Sequence, residues 1–203
     1  MVADENVFEQ ARIFLPKYLT PAQQKELFEE LDSVPEQKTF YLAQEHFSRE
    51  MLQGDGWKGF IVIDFKTVEK KSVSGLVLSN TCDISFENKR RLPVNILFAP
   101  IIRLSKYNEH LRQAGQTEQQ VDSLLNEVRR QHVTQIFYLP EQSGIIEESI
   151  VVLDDVHIHP RDDFQEVTNS KIFTLKQYAF YIFLMKLSIH LCRFNEKIAR
   201  FDN

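Results

Sequence analysis

Apolar and polar positions along the chain fall into two periods. Three short apolar runs, at residues 59–65, 74–79 and 95–101, have the length and the β-branched and aromatic content of strands. Runs at 135–139, 148–153 and 171–173 repeat that character. Elsewhere the period is helical. After Thr20 and Pro21, an N-cap residue followed by a proline at the first helical position, Leu27, Phe28 and Leu31 recur at helical spacing to about residue 33. Pro35 ends that helix, residues 39–42 read as a short extended piece, and 45–52 read as a weaker helix. Thr117 and Gln120 frame a capping box ahead of Val121, Leu124, Leu125 and Val128, which share one helical face. Thr174 and Gln177 repeat the capping pattern before a helix expected to continue to Phe201. Residues 178–185 are apolar on every side, which predicts a buried core or dimer-interface helix. That stretch falls far short of the roughly 20 residues needed to span a bilayer.

The element order is helix, strands, helical insertion, strands, helix, which is that of an α+β protein. Turn formers at 53–57 mark the start of the strand region. The expected divisions are an N-terminal helical segment at 1–53, a small barrel at 54–173 carrying a helical insertion at about 104–134, and a C-terminal helix at 174–203 packed on the same domain.

With 203 residues, 43% of them hydrophobic, the chain can bury one sizeable core. The formal net charge of -5 and pI near 5.7 give no global electrostatic reason to bind nucleic acid or an anionic membrane, so any such contact needs a local basic patch. Cys82 and Cys192 stand far apart in unlike contexts, which fits a reducing compartment. The acidic stretch at 1–6 lacks the basic and apolar regions of a secretory signal. A cytoplasmic protein without membrane partners is expected.

The richest chemistry sits in the polar turn of Ser79, Asn80, Thr81, Cys82 and Asp83. Functionally, Cys82 is a candidate nucleophile or ligand, oriented by Asp83 and by His157. Structurally, Cys82 is a small buried residue while Asn80, Thr81 and Asp83 bond backbone amides in a tight turn. A second cluster follows from strand alternation, which puts Asp155, His157 and His159 on one face. Successive side chains on one strand face lie about 6.5 to 7 Å apart, wide for a single ion, so no metal and no cofactor is expected. Lys58, Lys66, Lys70, Lys71, Lys89, Arg90, Arg91, Arg129 and Arg130 are cations able to neutralise phosphates, with Trp57, Phe60 and Phe65 available for stacking on bases.

A first strand opened by Gly59, a second ending in Val77, Leu78 and Ser79, a third ending in Ala99, Pro100 and Ile101, and a later Leu153, Asp154, Asp155, Val156 follow one another in a particular order. Across residues 54–160, outside the helical insertion, that order resembles the MazF/PemK/Kid toxin family. The resemblance implies an SH3-like, partly open β-barrel, usually a homodimer. It also implies a metal-independent endoribonuclease acting in a toxin–antitoxin or phage-defence module, with RNA and an antitoxin or another module protein as partners. In that family an arginine after the first strand and a hydroxyl after the third-strand proline act on the phosphate. This chain instead has Lys66, Lys70 and Lys71 in the first loop and Ile101, Ile102 and Arg103 after Pro100, with Ser105 beyond. The candidate catalytic set for such an enzyme joins Lys70 and Lys71 of that loop to Asp83, Cys82 and Asn80 of the polar turn, whose Cys-Asp pair departs from the toxin pattern, and the candidate nucleic-acid contacts are Lys58, Lys66, Arg90, Arg91 and Arg103. The alternative is a non-catalytic SH3-like interaction module that binds a protein partner or itself, through a groove or through Phe180, Phe183 and Met185 of the terminal helix.

Overall fold

Strand β1 (Gly56–Ile63) turns back into β2 (Lys70–Val77), and this hairpin is the spine of a seven-stranded antiparallel sheet. The computed structural model describes residues 40–42, 50–88, 90–166 and 170–191. The expected helices before residue 39 and over 43–49, the cation Lys89, Cys192 and the end of the last helix lie outside the described residues.

After β2 come a one-turn helix α1 (Thr81–Ile84), strand β3 (Asn95–Arg103), helices α2 (Leu104–Gln113) and α3 (Glu118–Arg129), and strands β4 (Ile136–Leu139), β5 (Ser149–Val152) and β6 (His157–Pro160). Helix α4 (Arg161–Glu166), strand β7 (Lys171–Phe173) and helix α5 (Gln177–Leu191) complete the order. The fold is α+β, and the sheet is open, running β4-β5-β3-β2-β1-β7 with β6 alongside β3.

β3 is the hub. One edge pairs through Phe98, Ala99 and Pro100 with β2, while the other passes from β6, at Asn95 to Phe98, to β5, at Ile101 to Arg103. Pro100 has no N–H to give, and it stands where that second edge changes partner. Around this hub both faces are buried, so β4 and β5 read as continuous apolar runs rather than alternating ones. Ile136, Tyr138 and Ile150 pack with Leu111, Val121, Leu125 and Val128 of α2 and α3, while Phe137, Leu139, Val151 and Leu153 pack with Ala179, Ile182 and Phe183 of α5.

A third cluster fills the space between the hairpin and β6: Trp57, Phe60, Val77, Ile84, Ile96, Phe98 and Phe164. Gly59 makes it possible. Its φ of 104° accompanies a register shift between Lys58 and Phe60, so Trp57 and Phe60 point to the same side. Beyond the bulge, Val62 and Val73 also face this cluster, leaving Ile61, Ile63, Lys70, Ser72 and Ser74 on the opposite face.

The helical insertion falls where the periodicity puts it, and Thr117 and Gln120 form the expected capping box. The second capping pattern is not realised. Leu175 bridges to Tyr41, so α5 starts only at Gln177, whose side-chain amide donates to the Tyr181 hydroxyl at 2.9 Å. α5 is a core helix: Phe183 is 0% and Met185 8% exposed, which takes both away from any interface. Among the described residues no helix is long and apolar enough to cross a membrane.

Candidate functional site

The polar turn after β2 is held by its own side chains. The Asn80 Oδ1 accepts from the Cys82 N–H at 2.9 Å and caps α1, the Ser79 hydroxyl accepts from the Leu97 N–H at 2.7 Å, and the Thr81 hydroxyl accepts from the Gln53 N–H at 2.9 Å. Arg90 pairs with Asp83 at 2.6 Å and also donates, at 3.3 Å, to the Cys82 carbonyl, which takes a second bond from the Asn88 amide at 2.6 Å. Asn80 and Thr81 therefore do the backbone work expected of a tight turn, and Asp83 binds a loop arginine instead of an amide. The buried alternative for Cys82 is corrected: its thiol is free and exposed. Arg91 is exposed in the same loop.

Lys70 and Lys71 begin β2, and Asp83 lies beyond its far end. Six residues of strand from Lys71 to Val77 correspond to roughly 20 Å, so these lysines and the turn do not meet at one phosphate. Lys66 joins Lys70 and Lys71 at the β1–β2 tip instead. There the Asp64 carboxylate accepts from the Lys66 and Thr67 N–H groups at 2.9 and 3.2 Å, bonds that hold its carboxyl below the usual range. Val68 has φ 59°, a costly conformation for a β-branched residue. The tip is apolar as well as basic, with Phe65 92%, Val68 75% and Ile63 45% exposed. Of the three aromatics expected to stack, Trp57 and Phe60 are buried and Phe65 alone is free to do so.

The remaining nominated cations, Lys58 and Arg103, share a groove of about 480 Å³ between the sheet and the β4–β5 connection. Cross-strand register explains its floor: Lys58 is opposite Ser74, and Ile101 lies on the neighbouring strand, with Ile172 of β7 at the other side. Ile145 and Ile146 form a wall, and Glu141 and Glu147 stand at the rim with Arg103, which pairs with Glu147 at 3.1 Å. The connection was legible only as a hairpin loop; its part in a groove depends on Gln142 bridging Ile146 and turning the isoleucines onto the sheet.

Arg129 is a structural cation. Its guanidinium grips Glu148 at 2.7 and 3.2 Å, and the Tyr138 hydroxyl donates to the same carboxylate at 2.7 Å. Burial raises the Tyr138 pKa, helped by Glu148; burial pushes Glu148 up as well, but the hydrogen bonds from Arg129 and Tyr138 and the Arg129 charge prevail, and its carboxyl lies below the ordinary value. On β6, His157 contacts Asp155 at 2.8 Å, while His159 is buried with its Nδ1 2.9 Å from the Pro160 carbonyl and its ring edge-on to Phe60 and Phe164. Among the described residues no group of three His, Cys, Asp or Glu side chains is placed to hold a metal ion.

Periodicity gives no sign of two buried cations. Lys171 pairs with Asp55 at 2.7 Å beneath β1 and β7, and Lys186 of α5 donates to the Gln131 and Val133 carbonyls at 2.7 and 2.8 Å. No family model matches this chain, and no curated protein matches it.

Proposed function

We propose that this protein is a non-catalytic interaction module whose open sheet face binds a segment of a protein partner or of a second copy. The observation that carries this reading is the groove: Ile101, Ile145, Ile146 and Ile172 stand among Lys58, Ser74, Arg103, Glu141, Gln142 and Glu147, a mixed surface with room for a segment that carries both apolar and polar side chains. The groups nominated for catalysis support it too. Asn80 and Asp83 are engaged in holding the turn, and Lys70 and Lys71 stand at the other end of β2. At the finer level of fold, the double pairing of β3 and the enclosed cluster beneath β6 fit an SH3-like, partly open barrel. Incubation of the purified chain with long single-stranded RNA, with and without EDTA, tests the reading: the RNA stays intact in both, and sequence-biased cleavage overturns it.

A second reading keeps the RNA direction implied by the MazF-like resemblance. Phe65 beside Lys66, Lys70 and Lys71 fits a single-stranded RNA, one stacked base with phosphates neutralised around it. Filter binding at several salt concentrations checks it. Loss of three phosphate contacts in a Lys66/Lys70/Lys71→Ala variant lowers the salt slope by roughly 2.

A further inference from the structure

The tip of the β1–β2 hairpin joins exposed apolar side chains to a strained backbone. Phe65 and Val68 stand almost free of the sheet, Ile63 is half exposed, and Val68 holds a φ of 59° that strains a β-branched residue. Hydrogen bonds within the tip keep this shape: the Val68 N–H donates to the Asp64 carbonyl at 2.7 Å, and the Asp64 N–H to the Glu69 carbonyl at 3.0 Å. The apolar apex is therefore presented in one fixed form.

The cations behind the apex form a collar. Register sets Lys70 opposite Ile63 and Lys71 opposite Val62, and strand alternation sends the two lysines to opposite faces of the hairpin. Two to three residues of strand separate them from Val68, about 7–10 Å. Lys66 lies beside Phe65 in the turn, and its long stem lets the ammonium reach back from the apex to the level of the collar. Of the two acidic groups nearby, Asp64 turns its carboxylate onto the Lys66 and Thr67 N–H groups at 2.9 and 3.2 Å, which leaves Glu69 set against the three lysines.

We infer that this tip docks the protein reversibly on an anionic phospholipid bilayer, Phe65 and Val68 entering the acyl boundary while Lys66, Lys70 and Lys71 meet the headgroups. The depth fits, because interfacial segments bury their apolar face about 5–10 Å into that boundary, the span between apex and collar. The aliphatic members favour lipid over single-stranded RNA. Val68 and Ile63 have no ring on which a base can stack, whereas an acyl layer takes aliphatic and aromatic groups alike. A chain with a formal net charge of -5 needs a local basic patch for such a contact, and the collar is that patch. Charges farther away than a Debye length of about 8 Å at physiological salt are largely screened, so the lysines at the contact outweigh the acidic remainder. The inference stands apart from the groove at Lys58 and Arg103.

Co-sedimentation of the purified chain with vesicles tests it, using phosphatidylcholine alone and phosphatidylcholine mixed with phosphatidylserine, with far-UV circular dichroism confirming the fold of each variant. The chain pellets with the mixed vesicles, and added salt weakens that binding. Each lysine near such a surface contributes about fivefold, so Lys66/Lys70/Lys71→Gln lowers the partition coefficient about 100-fold. Phe65→Ser lowers it at least about tenfold, while Phe65→Leu keeps most of it. Asparagine tolerates positive φ, so Val68→Asn holds or raises the denaturation midpoint and yet weakens vesicle binding, which a purely structural role for Val68 does not produce. In Phe65→Trp, mixed vesicles shift the indole emission to the blue against a constant signal from the buried Trp57. A wild type that stays in solution with the mixed vesicles overturns the inference, as does pelleting that Phe65→Ser and Val68→Asn leave intact. A chain that ignores vesicles but binds single-stranded RNA, and loses it in Phe65→Leu, overturns it in favour of RNA at the tip.

Discussion

Asp55 and Lys171 form an ion pair of 2.7 Å whose side chains are 0% and 9% exposed, joining the start of β1 to β7 at an edge held by only two residue pairs. The Asp55 Oδ2 also accepts from the Leu52 N–H at 2.8 Å, and Lys171 donates to the Thr174 hydroxyl at 3.2 Å while standing over the Trp57 ring. Burial pushes the Asp55 carboxyl up, and Lys171 opposes it. Breaking a buried pair on one side leaves an uncompensated charge. Asp55→Ala or Lys171→Met is therefore expected to destabilise the fold by about 3–5 kcal/mol. Urea denaturation checks this, and Asp55→Leu combined with Lys171→Met recovers much of the loss, because then neither charge is stranded.

Gly75 is required by its surroundings. A Cβ there would lie 2.7 Å from a ring carbon of Phe60 and of Phe98, two rings stacked with centroids 4.0 Å apart. Both belong to a closed cluster and have little room to retreat. Gly75→Ala is expected to cost about 1–3 kcal/mol by overpacking, read as a fall in the denaturation midpoint, whereas Gly115→Ala, where nothing lies within 4 Å of the added carbon, meets no such contact and is penalised only by its φ of +84°.

Lys186 makes stability depend on pH. Burial pushes its amine down to about 7 from an ordinary value of 10.5. Between those values the unfolded chain binds a proton that the folded chain does not, so stability contributed by this site rises with pH, by up to about 1.4 kcal/mol per pH unit. Below about pH 7 both states carry the proton and the dependence flattens. The stability of wild type relative to Lys186→Met, measured by denaturation from pH 6.5 to 9.5, increases across that range; a difference independent of pH contradicts the assignment.

Cys82 is exposed, so a thiol reagent should modify it in the native protein. The expected result is a fast-reacting thiol without denaturant that Cys82→Ser removes. Asn80→Ala takes away the cap of α1 and costs about 0.5–2 kcal/mol, measured by denaturation. Slow modification of Cys82 in the native state counts against the exposed turn described above.

Hydrophobic period made much of the fold legible. The strands at 59–65, 74–79 and 95–101 correspond to β1, β2 and β3 with ends displaced by a few residues, and the capping box at Thr117 placed α3. These signals are local: a strand's alternation and a cap's hydrogen bonds involve neighbours within a few positions. Asn80 was legible for the same reason, since its side chain bonds the Cys82 amide two positions on, whereas Thr81 bonds the distant Gln53 N–H and Asp83 binds Arg90.

The candidate site was legible only in its parts. Lys58, Arg103, Lys66, Lys70 and Lys71 are equally plausible as phosphate contacts in a string of letters, but strand register puts the first two in one groove and the other three at a tip some way from it. Trp57, Phe60 and Phe65 look alike as stacking aromatics until the bulge at Gly59 turns the first two into the core and the chain turns at Asp64 with the third outside. Asp55 and Lys171, more than a hundred positions apart, become partners only because β1 and β7 pair.

By itself, then, the sequence determined the α+β class, the position of the helical insertion and the capped turns, because hydrophobic period and capping act over one or two turns of chain. The tertiary structure decided which cations share a surface, which aromatic stays in water and which charges are buried, because those outcomes depend on register, on a one-residue bulge and on pairing between distant strands.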